Sequence, residues 1–127
     1  MEIMIGCDPE LFVKAGDKFV SGHGLILGDK ANPHKVEGGA VQVDGMALEF
    51  NINPAKDEQG FITNINTVMK QLSEMVPGYE LAADPVAKFG KEYLATMPEE
   101  ALELGCEPDF NAYEEGAANP RPDGDVD

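Results

Sequence analysis

The stretch of residues 41–50, Val-Gln-Val-Asp-Gly-Met-Ala-Leu-Glu-Phe, carries the clearest local signal of structure in this sequence. Its two alternating segments flank Asp44-Gly45, a pair that is favoured in two-residue hairpin loops. Side chains alternate between the two faces of a strand. If Val43 pairs with Met46, the first face is apolar and carries Val41, Val43, Met46, Leu48 and Phe50. The second face is less apolar and carries Gln42, Ala47, Glu49 and Asn51.

The residues before this hairpin predict further strands and a long loop. From Met1 to Val13 every odd position is apolar, whereas the even positions include Gly6 and three acidic residues. This alternation predicts a half-buried strand over residues 1–13. A turn at residues 15–17 leads into a second short strand at 18–21. Residues 22–39 are rich in Gly, Asp, Asn and Pro, which predicts a loop.

The residues after the hairpin change to a helical period. Apolar side chains recur in steps of three and four at Ile62, Ile65, Val68, Met69, Leu72 and Val76. This spacing predicts an amphipathic helix that ends at Pro77-Gly78. A short strand at 79–82 and short helices near 91–95 and 98–104 follow. Together these elements predict an α+β fold, with a largely antiparallel sheet that helices cover on one face.

The composition restricts the possible partners. The chain has 127 residues, 43% of them hydrophobic, and a formal net charge of -15. Such a charge repels nucleic acid and anionic lipid, so neither is an expected partner. No apolar run reaches the roughly 20 residues of a membrane span. The two cysteines form no disulfide framework, which favours a reducing cytoplasm.

Two similar segments carry carboxylates that are candidates for metal binding. Residues 6–10 (Gly-Cys-Asp-Pro-Glu) and 105–109 (Gly-Cys-Glu-Pro-Asp) each place two acids at positions i and i+2, on one side of an extended backbone. Asp8 and Glu10 are therefore candidates, and Glu49 on the less apolar face of the hairpin is a third. Hard cations such as Mg²⁺ prefer such oxygen ligands. The alternative interpretation is that all three are solvated strand residues of a very acidic protein.

The only local cluster of positive charge lies in the predicted loop, at Lys30, His34 and Lys35. Lys30 is a candidate for contact with a phosphate, and the alternative is an ordinary surface lysine. Cys7 has the parity of the core face of its strand, so it is interpreted as a small buried hydrophobe rather than as a nucleophile.

Four blocks of this sequence resemble successive blocks of a known enzyme family. They are residues 6–12 (GCDPELF), 28–33 (GDKANP), 41–51 (VQVDGMALEFN) and 105–113 (GCEPDFNAY). In combination they resemble the phage-type carboxylate–amine ligases of type 2. That family belongs to the superfamily of glutamine synthetase and glutamate–cysteine ligase.

The resemblance implies a fold, an activity and a set of site residues. It implies part of a glutamine synthetase-like fold and an ATP-dependent reaction that joins a carboxylate to an amine through an acyl phosphate. The substrates would be small molecules or peptides. By position, Asp8, Glu10 and Glu49 would hold the Mg²⁺ ions that bridge the ATP phosphates, and Lys30 would contact phosphate.

The resemblance also implies that the catalytic domain is incomplete. In the family a Gly-Gly-His-x-His strand follows the second Gly-Cys block, and this sequence ends before it. Residues 1–112 are therefore expected to form the N-terminal part of a ligase domain, and residues 113–127 an acidic, disordered tail. A missing C-terminal half would contribute further metal or nucleotide ligands, and a homo-oligomer that covers the exposed sheet is the other expected partner.

Two other functions remain open at this point. The first is a catalytically inactive, truncated remnant that acts as a binding module. The second is a metal-dependent hydrolase that uses the same carboxylates. Nucleases of that kind usually carry a lysine two residues after the strand carboxylate, where this chain has Asn51 after Glu49. The net charge also disfavours a nucleic-acid substrate.

Overall fold

A six-stranded antiparallel sheet forms the centre of the protein. The computed structural model describes residues 2–103 and the backbone of 110–111 and 117–118. The sheet has the order β2-β1-β5-β4-β3, and β6 pairs with β1. All pairs are antiparallel, so the predicted α+β class with its antiparallel sheet is confirmed. The strands are β1 (Glu10–Ala15), β2 (Lys18–Val20), β3 (His34–Val36), β4 (Gly39–Asp44), β5 (Ala47–Ile52) and β6 (Glu80–Ala82).

The hairpin of β4 and β5 has the predicted faces but a different register. Val43 pairs with Leu48, so the predicted pairing of Val43 with Met46 is wrong by two residues. The loop consists of Gly45, with a φ of 59°, and Met46. Met46 is fully buried, and its burial in a separate apolar cluster favours this register. A shift of two residues leaves the strand side chains on their predicted faces. Met46 is the exception, because it was predicted on the first face and instead packs in the second cluster from the loop.

One long helix, α1 (Glu58–Met75), covers one face of the sheet. Its N-cap is Asp57, whose Oδ1 accepts a hydrogen bond of 2.7 Å from the Gly60 amide. The helix buries Val68 and Leu72, as its period predicted. These two side chains belong to the first core, which also contains Leu11, Val13, Val41, Leu48, Phe50, Ile52 and Val76.

A second apolar cluster lies on the opposite face, at one end of the sheet. Phe12 alternates with Leu11 and Val13 along β1 and therefore faces away from the first core. The segment after β6, with the short helices α2 (Lys91–Leu94) and α3 (Glu99–Leu102), covers this end. The cluster consists of Phe12, Met46, Ala47, Ala87, Phe89 and Ala101. The second face is thus only partly covered.

The first strand is shorter than its alternation predicted. It begins at Glu10, and residues 3–5 are more than half exposed. The carbonyl oxygens of Cys7 and Pro9 still accept hydrogen bonds from β5, at 3.2 Å each. Pro9 has no N–H to donate in return, which explains why the regular strand starts only after it. Cys7 packs against the first core, as its parity predicted.

The predicted loop 22–39 contains a strand that the sequence did not indicate. Residues 34–36 form β3, which pairs with β4 through His34–Val41 and Val36–Gly39. The strand is too short to show an alternating pattern, and a preceding proline and two following glycines hide it in a loop-like composition.

Outside the main sheet, the backbone of β7 (Phe110–Asn111) pairs with that of β8 (Ala117–Ala118). The second Gly-Cys block, 105–109, lies outside the described residues, as does most of the predicted tail 113–127. In the part of the chain that is described, no helix combines the length and the apolar character needed to cross a membrane.

Candidate metal centre

Three carboxylates from three strands meet on the partly covered face of the sheet. One oxygen each of Glu10, Asp44 and Glu49 lies within 4.8 Å of the others. The pairing of β1 with β5 places Glu10 directly opposite Glu49. Asp44 ends β4 and lies two residues after Gln42, the partner of Glu49 in the β4–β5 pair, so all of these side chains share one face.

A buried amide orients one of the three carboxylates. Gln42 is 8% exposed, and its Nε2 donates a hydrogen bond of 2.9 Å to Glu49 Oε2. This hydrogen bond restricts the orientation of the Glu49 carboxylate. Glu49 is therefore a candidate ligand whose side chain is held by a neighbouring strand.

The electrostatics of Glu10 show that the charges crowd one another. Although the residue as a whole is exposed, the protein atoms around its carboxyl raise the pKa of Glu10, and this desolvation is the largest cause. The negative charges of Asp44 and Glu49 and a hydrogen bond with Asp44 raise this pKa further, whereas the positive charge of Lys30 opposes the rise. Ionised Glu10 is thus destabilised until a cation balances its neighbours.

Glu49 is perturbed in the same direction. Desolvation is again the largest cause that raises the pKa of Glu49, and the hydrogen bond from Gln42 opposes it. The charges of Asp44 and Asp8 add to the rise, and Lys30 again acts against it. The two glutamates therefore sense the same neighbours, as expected for groups that share one small volume.

Lys30 reaches this volume from a turn that is attached to the sheet. The Asn32 amide donates 2.8 Å to Asp29 Oδ1, and the Asp29 amide donates 3.1 Å to the Asn32 carbonyl oxygen. The Gly28 carbonyl oxygen accepts 3.0 Å from the amide of Val43 in β4. The turn is thus closed on itself and bonded to the strand that carries Asp44.

A cavity of about 730 Å³ adjoins the carboxylates. Asp44 and Lys30 line it, and so they belong both to the cavity and to the charged cluster. The rest of its wall is mixed, with apolar side chains such as Ile26 and acidic ones such as Glu100. The cluster therefore has an adjoining space of the size of a small-molecule site.

The structure brings together two of the three predicted metal ligands and adds one. Glu10 and Glu49 lie in the group of three, whereas Asp8 is exposed and lies outside it, close enough to affect the pKa of Glu49. The metal-binding role of Asp8, Glu10 and Glu49 and the phosphate contact of Lys30 stay predictions. Asp44 was missed because it was interpreted only as a turn residue. Its parity with Gln42 is the signal that would have found it.

No protein-family model, curated protein or solved structure matches this chain. The geometry of the three carboxylates and the resemblance of the sequence blocks are the features that indicate a function.

Proposed function

We propose that this chain forms the metal-binding part of the ATP site of a carboxylate–amine ligase. Glu10, Asp44 and Glu49 would hold Mg²⁺, Asp8 would supply a further oxygen, and Lys30 would contact a phosphate. The observation that carries the proposal is the convergence of three carboxylate oxygens within 4.8 Å, beside the positive charge of Lys30. A glutamine synthetase-like fold, completed by a further segment or a second copy, belongs to the same proposal.

The chemistry of the cluster fits a divalent cation. Mg²⁺ is coordinated by oxygen and is usually bound through one or two carboxylates together with substrate phosphates. A cation among these three groups would balance the repulsion that raises the pKa of Glu10 and Glu49. It would also allow the anion ATP to approach a protein with a net charge of -15.

The reaction requires little covalent chemistry from the protein. A substrate carboxylate oxygen attacks the γ-phosphorus of ATP and releases ADP. An amine then attacks the carbonyl carbon of the acyl phosphate, and phosphate leaves as the amine loses a proton. Such phosphoryl transfer depends on positioning and on neutralisation of charge. Fixed carboxylates on strands and a lysine on a bonded turn provide both. We place this reaction in the cytoplasm, which supplies ATP and Mg²⁺.

The proposal is tested by calorimetric titration of the chain with ATP at several Mg²⁺ concentrations. The parent is expected to bind ATP saturably, and only with the metal. Glu10→Gln and Glu49→Gln should each weaken this binding by at least about tenfold, since each removes one charged ligand. Glu74→Gln is the matched control, because Glu74 is an exposed glutamate of α1, the helix on the opposite face of the sheet. Circular dichroism should show the same folded state for all four proteins.

The outcomes separate the possible functions. If both glutamate variants bind like the parent, the assigned site is wrong. If the chain binds Mg²⁺ but never ATP, it is a cation-binding module, and the ligase part of the proposal fails. If neither ligand binds saturably, the chain is the inactive remnant.

A further inference from the structure

Gly28 lies where the loop before β3 crosses strand β4, and it leaves no space for a side chain. Its φ is +99°, a conformation that residues other than glycine rarely adopt. A Cβ atom at this position would lie 2.6 Å from the Val41 carbonyl oxygen and 2.7 Å from the His34 amide nitrogen. Both are backbone atoms of paired strands, so they cannot rotate away. Any side chain at residue 28 therefore requires the turn and the strands to move apart.

The loop that Gly28 attaches to β4 is the one that carries Lys30. We call residues 28–32 the Gly28 turn. One end is bonded to the sheet, because Val43 donates its amide proton to the Gly28 carbonyl oxygen. The other end is closed by the bonds between Asp29 and Asn32. Because both ends of the turn are held, the backbone of Lys30 has a defined position.

The position of Lys30 matters because it lines the same cavity as Asp44, one of the three clustered carboxylates. Its positive charge therefore acts on the carboxylates and on any ligand in that cavity. Coulomb interactions of this kind fall with distance, so moving the turn outward would weaken them.

We propose that the Gly28 turn is a positioning element, in which the missing side chain of Gly28 keeps Lys30 beside Glu10, Asp44 and Glu49 so that it meets a metal-bound phosphate. This inference rests on the function proposed above. Gly28 touches no ligand itself and acts only through Lys30.

The proposal has a signature that simple damage to the fold would not produce. Lys30 repels a cation in the cluster but attracts a phosphate that approaches it. If the turn moves away, the metal alone should bind more tightly, whereas a phosphate compound should bind the metal-loaded protein more weakly. A general loosening of the site would weaken both ligands together.

The test measures two affinities in Gly28→Ala, Lys30→Gln and the parent. Mn²⁺ alone serves as the first probe, and inorganic pyrophosphate at saturating Mn²⁺ as the second. Both variants should bind pyrophosphate about tenfold more weakly, the usual loss for one charged hydrogen bond. Both should bind Mn²⁺ about two- to fivefold more tightly, a small effect because solvent screens the charge. The double variant should match Lys30→Gln, since both changes remove the same interaction.

Gly16→Ala is the matched control for backbone strain. Gly16 has a φ of +67° in the β1–β2 turn, and a Cβ there would meet nothing within 4 Å. This variant therefore introduces the same kind of unfavourable φ without any collision, and away from Lys30. It is expected to bind both probes like the parent.

A second pair of variants tests the turn without adding an atom beside β4. This pair tests the proposal if Gly28→Ala does not fold. Asp29→Ala removes the acceptor for the Asn32 amide, whereas Asp29→Asn keeps an acceptor oxygen and removes only the charge. Asp29→Ala should show the two opposite changes in affinity, and Asp29→Asn should restore pyrophosphate binding to within about twofold of the parent.

The possible failures can be told apart. If the parent binds neither probe, both the proposed function and this inference fail. If the parent binds both probes but the turn variants behave like Gly16→Ala, or lose both ligands in parallel, only the inference fails.

Discussion

The two faces of the central hairpin use adjacent residues of one strand for opposite purposes. Phe50 is 2% exposed and packs in the first core against the α1 side of the sheet. Glu49, its neighbour in β5, belongs to the three carboxylates on the other face. The helix-covered face removes apolar surface from water, which stabilises the fold. The carboxylate face gathers like charges, and their mutual repulsion opposes folding.

The stability of the fold and the candidate site therefore depend on separate side chains of the same strands. Strand pairing holds both faces in position, so the backbone that the apolar face stabilises also holds the carboxylates near one another. A change on the apolar face should therefore alter unfolding, and a conservative change on the acidic face should alter binding. Variants on the two faces should therefore differ in what they change.

The largest effect is expected for Phe50→Ala. Removing this buried ring leaves a cavity between sheet and helix, and such changes cost about 3–5 kcal/mol. The measurement is the free energy of unfolding from urea denaturation. Glu49→Gln, one residue earlier, is the comparison and should change it by less than about 1 kcal/mol. Equal losses in the two variants would contradict the separation of the faces.

A smaller loss is expected for Asp57→Ala. Asp57 accepts a hydrogen bond from the Gly60 amide at the start of α1. Loss of such an N-cap costs about 1 kcal/mol, because a helix amide loses its partner. Asp57→Asn, which keeps an acceptor, should recover most of this loss in thermal unfolding. Binding of Mg²⁺ should not change in either variant, since α1 lies on the other face.

In the absence of metal, Glu10→Gln is expected to increase the free energy of unfolding, whereas the two preceding variants decrease it. The charge of Glu10 is repelled by Asp44 and Glu49. Its removal should therefore stabilise the metal-free protein, by no more than about 1 kcal/mol because the residue is partly solvated. At saturating Mg²⁺ the parent should be more stable than the variant, since the parent gains binding free energy that the variant lacks. Thermal unfolding with and without Mg²⁺ measures both signs, and a lower melting temperature of the metal-free variant would contradict the prediction.

The smallest effect is a dependence of stability on pH. The pKa values of Glu10 and Glu49 are raised in the folded state, so the folded protein binds more protons than the unfolded chain between the ordinary and the raised values. The contribution of these groups to stability should therefore be largest below the ordinary pKa of a glutamate and should be lost as pH rises through the raised values.

The measurement for this effect is the urea midpoint of the parent minus that of the variant with both Glu10→Gln and Glu49→Gln, which cancels the titration of the other acids. A difference that does not change with pH would show that the two carboxyls are not perturbed.

The sequence predicted much of the fold because several patterns are local. The period of residues 62–76 located α1, and the parity of residues 41–51 assigned both faces correctly except for Met46, which lies in the loop and packs in the second cluster. The prediction of the register was wrong because Asp44-Gly45 is a favoured loop. In the structure, Met46 is buried by residues distant in the chain, and the loop lies one position later. Strand β3 was not predicted because three residues are too few to show an alternation of apolar and polar side chains.

For the site, the sequence predicted Glu10 and Glu49 as neighbours but did not include Asp44. Carboxylates on one face can be recognised from parity alone. Which of them come within reach of one cation depends on how β1, β4 and β5 are paired.

Local patterns assigned most strand and helix side chains to the apolar core or away from it, because alternation along a strand and the helical period are properties of the local backbone. Strand pairing and loop packing brought Glu10 to Glu49 and Asp44 and placed Lys30 beside them. Those distances join segments that are remote in the chain. They are set by the pairing of β1 with β5 and by the contact of Gly28 with β4, which no local pattern encodes.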